Sequence, residues 1–183
     1  MIGFDLEEKI FRIDTQKTTY AFKIVHEKFL AHLYYGPKID SLQGLYREYP
    51  VDFAPYVADE GADFSLDTIP TELSFFDSGD MKDTAIKIRN GNGDCSTLFY
   101  YKEYRILKGR VEIEGMPYSR FSDETLEIIY EDLVSGVELH SYYSVFEDSD
   151  ALIRSVVAVN ESDKKLYLEK IQLYPTFRME GSF

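Results

Sequence analysis

The sequence predicts an all-β protein, an antiparallel β-sandwich, on three observations. Apolar residues recur at every second position in many short runs, turn residues separate those runs at intervals of roughly 8 to 12 residues, and no long amphipathic helical pattern is present. The pattern is clearest from Glu124 to Asn160, which reads as a β-meander of three strands. Leu126, Ile128 and Tyr130 fall on one face of the first run, opposite Glu127 and Glu131. Val137, Leu139, Tyr143 and Val145 oppose Glu138, His140 and Ser144 in the second, and Ile153, Ser155, Val157 and Val159 resume the alternation in the third. Ser135-Gly136 supplies the first turn, because glycine tolerates positive φ, and the acidic Glu147–Asp150 stretch supplies the second. Each strand has a dry face and a wet one, so the sheet needs a second layer, and a closed barrel is the alternative architecture.

The preceding elements supply that layer. A short strand is expected around Lys9 to Asp14, then a polar turn to Thr18. Thr18 to Val25 alternates Tyr20, Phe22 and Ile24 with Thr19, Ala21 and Lys23, and the run FLAHLYYG returns as its hairpin partner until Gly36-Pro37 ends it. Periodicity is lost from Ile39 to Asp83, where Pro50, Pro55 and Pro70 interrupt a mixture of acidic and aromatic residues. Irregular stretches longer than about 15 residues are usually functional when a compact domain contains them. Regularity returns at Ala85 to Arg89, followed by a glycine turn, a long aromatic strand from Ser96 to Leu107, and a short run from Arg110 to Glu114. Leu166 to Tyr174 is the last expected strand.

Composition bounds the class. The 183 residues form one domain, 1–183, able to bury roughly 70% of the surface of the unfolded chain. A lone Cys95 excludes an internal disulfide, and the opening MIGFDLEEKIF lacks the basic head and apolar run of a signal peptide, so the expected location is cytoplasmic. No window approaches the ~18 apolar residues of a membrane span. A net charge of −13 repels phosphate backbones and anionic lipid heads, so neither nucleic acid nor membrane is an expected partner. The 15 Tyr and 13 Phe, without any Trp, suit half-buried pleated surfaces better than a sugar-stacking platform.

Chemical motifs are scarce. His26, His32 and His140 have no companion at metal-ligand spacing, so no metal site and no cofactor are expected. A G-x-S-x-G nucleophile turn is absent, and the acidic clusters at Asp77–Asp80, Asn90–Asp94 and Glu147–Asp150 lack the distal Glu of a calcium loop. Read alone, the residues contain no active site.

Several ordered segments nevertheless carry a resemblance. YAFKIVHEKFLAHLYYGPKI, FSLDT, YYKEYRILKGR, GMPY and above all TLEIIYEDLVSGVELHSYYSVFEDSDALIRSVVAVN resemble, nearly end to end, the amino-terminal region of bacterial α-galactosidases of glycoside hydrolase family 36. The resemblance implies a supersandwich-like β-domain preceding a (β/α)8 catalytic barrel. It also implies a retaining mechanism in the full-length enzyme, with two aspartates about 5 to 5.5 Å apart. The family's nucleophile lies in a Lys-Trp-Asp motif, which a chain without Trp does not contain, and no room remains for a barrel of about 250 residues. The expectation is therefore a fragment, with a sandwich that is itself incomplete and an ending, LYPTFRMEGSF, that departs from the family pattern. Family members carry an aspartate just after a proline in the irregular loop, where it helps hold the terminal galactose. The matching residue here is Asp52, with Asp59 the position open to confusion with it. A carboxylate suits sugar hydroxyls by accepting two charge-assisted hydrogen bonds at once.

Three functions follow as expectations. The chain is an accessory part of an α-galactosidase, inactive alone and meeting an α-galactoside only in the full-length enzyme; or an autonomous carbohydrate-binding module; or a purely structural oligomerisation module. A homo-oligomer is expected, with Leu166 to Tyr174 as the exposed edge through which chains pair.

Overall fold

Residues 1–49, 55–57, 60–61, 63–116, 121–146 and 148–173 are described by the computed structural model of the chain. Two antiparallel four-stranded meanders pack face to face. The first runs β1 (Ile2–Asp5), β2 (Ile10–Asp14), β3 (Thr18–Val25) and β4 (Phe29–Pro37), in that spatial order. After the irregular stretch comes β5 (Ile86–Arg89), and then the second meander follows as β6 (Tyr100–Lys108), β7 (Glu124–Asp132), β8 (Val137–Phe146) and β9 (Ala151–Asn160). β10 (Tyr167–Ile171) returns to pair antiparallel with β5. A 3-10 turn spans Leu66–Thr68, and among the described residues no helix is long and apolar enough to cross a membrane.

Period-two alternation builds the core between the sheets. Phe11, Ile13, Tyr20, Phe22 and Ile24 from the first meander meet Leu126, Ile128, Tyr130, Leu139, Tyr143 and Val145 from the second. Ring contacts fasten the layers: Phe22 stacks on Tyr143 with centroids 5.1 Å apart, and Tyr104 of β6 lies 5.0 Å from both Phe4 and Phe11. The turns hold as their chemistry requires. Gly136 closes β7 to β8 at φ +71°, while Asp132 accepts hydrogen bonds from the Val134 amide and the Ser135 hydroxyl. Asp150, at the β8–β9 turn, crosses to the other sheet, accepting from the Thr15 hydroxyl and the Lys17 amide at 2.6 Å each.

Four local expectations are corrected. β1 is a strand that its four-residue alternation did not announce. β6 begins at Tyr100 rather than Ser96, because Thr97 instead bonds through its amide to the Phe76 carbonyl. Arg110 to Glu114 forms no strand. On β9 the inward set is Leu152, Arg154, Val156 and Ala158, while Ile153 stays 45% exposed; both parities of this strand are rich in apolar residues, so alternation alone did not distinguish its faces. β10 lies within the expected Leu166 to Tyr174, and Tyr174 is outside the described residues.

The described parts of the irregular stretch pack against the first sheet. Arg12 donates to the carbonyls of Ile39 and Asp40, drawing the chain after β4 across the outer face of the first sheet. Val57, Phe64, Leu66 and Ile69 then form a second small core with Val25, Phe29 and Ala31. Farther on, the Glu72 amide bonds to the Leu30 carbonyl and the His32 amide to the Pro70 carbonyl, so the chain passes alongside β4 before reaching β5.

Candidate functional site

Asp52, the sequence-predicted substrate contact, and Asp59, its competitor, both lie outside the described residues. Their described neighbours gather around the tip of the β3–β4 hairpin. Val25 to Lys28 form the turn, closed by a 3.1 Å bond from the Lys28 amide to the Val25 carbonyl. The His26 ring stands between two carboxylates, with Nδ1 2.8 Å from Glu60 Oε2 and Nε2 3.2 Å from Glu48 Oε1. Lys28 pairs with the other oxygen of Glu60, and the hydrogen bond from Lys28, aided by the neighbouring His26, holds the Glu60 carboxyl below its ordinary range. Tyr46 donates its hydroxyl to Glu48 at 2.8 Å. Burial and then that carboxylate push the Tyr46 phenol far above its ordinary value. Beneath the cluster lies Phe64, whose ring centroid is 4.0 Å from that of His26.

A second polar cluster, which sequence reasoning did not single out, sits inside the sandwich around Glu72. The Glu72 side chain is 1% exposed. Its Oε1 accepts from Tyr20 at 2.9 Å and faces His32 Nδ1 at 2.9 Å; its Oε2 accepts from Tyr20 at 2.8 Å and Tyr143 at 2.9 Å, and lies 3.1 Å from Arg154 Nη2. Arg154 also lies over the Tyr143 ring, 5.0 Å from its centroid. A register irregularity in the β3–β4 ladder, where Ala21 pairs with Tyr34 but Phe22 pairs with His32, turns His32 inward to reach this carboxylate. Burial pushes the Glu72 carboxyl up, but Arg154, His32 and the Tyr20 hydroxyl outweigh it and hold the group below its usual range. Burial and the Glu72 charge raise the Tyr20 and Tyr143 phenols. This carboxylate is ionised, saturated with donors and closed to solutes, so it is a strut linking β3, β4, β8, β9 and the 70–75 segment. One signal for it existed in the sequence: Arg154 is the lone charge in the run ALIRSVVAV, where only Ser155 is otherwise polar, and an inward charge demands a buried partner.

The third histidine, His140, faces outward on β8 and lies 2.8 Å from Glu127, beside a chain of ion pairs running from Lys102 to Glu131 and Glu138. All three histidines therefore pair with carboxylates, His32 and His140 from strands and His26 from a turn. Among the described residues no group of three His, Cys, Asp or Glu side chains gathers as metal ligands.

Comparison with known proteins gives consistent matches. The family model described as the glycosyl hydrolase family 36 N-terminal domain matches residues 28–179. The bifunctional α-galactosidase/sucrose kinase AgaSK of Mediterraneibacter gnavus is 33% identical over all of this chain, which corresponds to 20% of that protein. The solved galactosidase domain of AgaSK superposes with a TM-score of 0.88 at 30% identity, covering 94% of this chain and 25% of that one. A variant of the family 36 α-galactosidase AgaA from Geobacillus stearothermophilus, solved in complex with raffinose, gives a TM-score of 0.83 at 27% identity over 89% of this chain and 24% of its own. The chain thus spans a fifth to a quarter of the length of the proteins it matches.

Proposed function

We propose, from the premise that this chain belongs to the glycosyl hydrolase family 36 N-terminal domain family, that it is the amino-terminal β-sandwich portion of a cytoplasmic α-galactosidase and hydrolyses nothing by itself. The observation that carries the reading is the family match over most of the chain, combined with its span of only 20–25% of the matched proteins. Retaining hydrolysis needs two carboxyl groups held about 5 to 5.5 Å apart across the scissile bond. Among the described residues the buried carboxylates are each committed to protein partners: Glu72 to Arg154 and two tyrosines, Asp80 to Thr71 and Lys82, Glu127 to His140, and Asp132 to the β7–β8 turn. The substrate class of the whole enzyme is terminal α-galactosides, on the strength of the relatives' names and the raffinose complex of AgaA.

Two accessory roles belong to the proposal. Asp52 contacts the terminal galactose in the assembled enzyme, a role for which a bidentate acceptor is chemically suited. The sandwich also takes part in a homo-oligomer. Support for assembly comes from the sheet edges: β9 borders the second meander with ten residues and one charge, and β10 borders the two-stranded sheet with Leu168 half exposed.

The decisive assay is turnover of a nitrophenyl α-galactoside by the purified chain. No hydrolysis above buffer is expected; turnover abolished by a point substitution within the 183 residues would overturn the reading. Calorimetry separates the module alternative, since micromolar galactose binding lost in Asp52→Ala would make this an autonomous binding domain.

A further inference from the structure

The β3–β4 turn is built from residues that turn chemistry does not favour. Its two central positions, His26 at φ +48° and Glu27 at φ +60°, both occupy the left-handed region, where hairpins of this kind select Asn-Gly or glycine pairs. Strain of this sort persists where surrounding interactions hold it in place. What holds His26 is a carboxylate on each ring nitrogen, Glu60 at 2.8 Å and Glu48 at 3.2 Å, and the ring of Phe64 beneath. A neutral imidazole donates from one nitrogen only and would turn a lone pair toward the other carboxylate; the doubly protonated ring donates to both.

We propose that His26 is a positioning residue. In its charged form it clasps Glu48 and Glu60 to the hairpin tip, fixing the two residues that flank Asp52 in the sequence. The other charged and titratable groups around the ring agree with that assignment. Lys28 occupies the far oxygen of Glu60, Tyr46 donates to Glu48, Lys23 lies over the Tyr46 ring, and Lys9 draws Glu27 away from the site. Glu48 and Glu60 are thereby brought within the width of one imidazole. The relevance to galactose rests on the proposed role of Asp52; the clasp itself does not.

The test uses the whole 183-residue chain with His26→Asn, His26→Gln and the double variant Glu48→Gln/Glu60→Gln. Asparagine suits positive φ, so if His26 served only the turn, His26→Asn would raise the thermal midpoint and leave local exchange unchanged. The clasp predicts the opposite. Hydrogen-exchange protection of the Val57 and Glu60 amides, which bond to the Phe64 and Val57 carbonyls, falls about ten-fold or more in both His26 variants, the scale of one lost charge-assisted hydrogen bond. Core amides such as those of Ile128 and Leu139 keep their protection. In the Glu48→Gln/Glu60→Gln background His26→Asn has no further effect on these two amides. Equal losses in that background, or unchanged protection in His26→Asn, would overturn the clasp. Asp52→Ala leaves both protection factors unaltered, so failure of the galactose reading is distinguished from failure of this one.

Discussion

Removing the buried charge of Glu72 tests the energetics of the sandwich most directly. In Glu72→Gln the side chain keeps its size but loses its charge, leaving Arg154, itself 16% exposed, without its counter-ion inside the protein. Breaking a buried pair by neutralising one partner costs roughly 3–5 kcal/mol, because an uncompensated charge remains. The hydroxyls of Tyr20 and Tyr143 also exchange a charged acceptor for a neutral one. For a domain of this size each kcal/mol lowers the thermal midpoint by about 2–4 °C, so a fall of roughly 6–20 °C is expected. Urea denaturation should show the same loss as a lower midpoint at constant m. Acid dependence supplies an independent check. The folded-state value of Glu72 is depressed, so its contribution is present above the ordinary carboxylate range and is lost as pH falls through the folded value. The difference between wild type and Glu72→Gln should therefore narrow on acidification. A variant within about 1 kcal/mol of wild type at neutral pH, or a gap that widens in acid, would refute the argument.

Other perturbations have outcomes of similar clarity. Arg154→Met should destabilise by a similar roughly 3–5 kcal/mol, whereas the double variant Glu72→Leu/Arg154→Met should cost much less than the sum of the single changes, measurable as a coupling energy in urea. Phe22→Ala removes a fully buried ring stacked on Tyr143 and should cost about 3–5 kcal/mol by the same measurement. Gly136→Ala should lose more than about 1 kcal/mol, since its φ is +71° and the added carbon would stand 3.0 Å from Ser162 Cβ. Light scattering at tens of micromolar should give a mass at least twice the 21.3 kDa of one chain if the open edges pair.

The sequence carried the sheets further than the polar cores. β8 was legible in period and face because Val137, Leu139, Tyr143 and Val145 share one parity and Glu138, His140 and Ser144 the other, whereas in β3 and β7 the second parity is also buried, at Thr19, Ala21 and Val25 and at Thr125, Glu127 and Ile129, so the expected wet face is not found there. β9 gave its strand but not its face, since Ile153, Val157 and Val159 are as apolar as Leu152, Val156 and Ala158. The Glu72 cluster joins residues 20, 32, 72, 143 and 154, a constellation made by pairing two sheets and an irregular segment, and no local pattern records such a meeting. His26 was legible only as a turn residue for the same reason: Glu48 and Glu60 reach it through the path of the chain across the first sheet.

Those two features together explain how an ambiguous edge strand adopts one register. β9 borders its sheet, and both of its faces are apolar enough to face the core. A slip by one residue against β8 would exchange the faces, placing Ile153, Ser155, Val157 and Val159 inward at little hydrophobic cost. Arg154 prevents the exchange from being neutral. In the observed register, with Arg154 opposite Tyr143, its guanidinium meets Glu72 and the Tyr143 ring. After a slip Arg154 would point to solvent, and the Glu72 carboxylate would remain buried with only Tyr20, Tyr143 and His32 as neighbours, a loss on the scale of a broken buried pair, roughly 3–5 kcal/mol. The cluster thus contributes specificity beyond its net stability: the hydrophobic pattern makes β9 a strand, and one ion pair decides which way it faces.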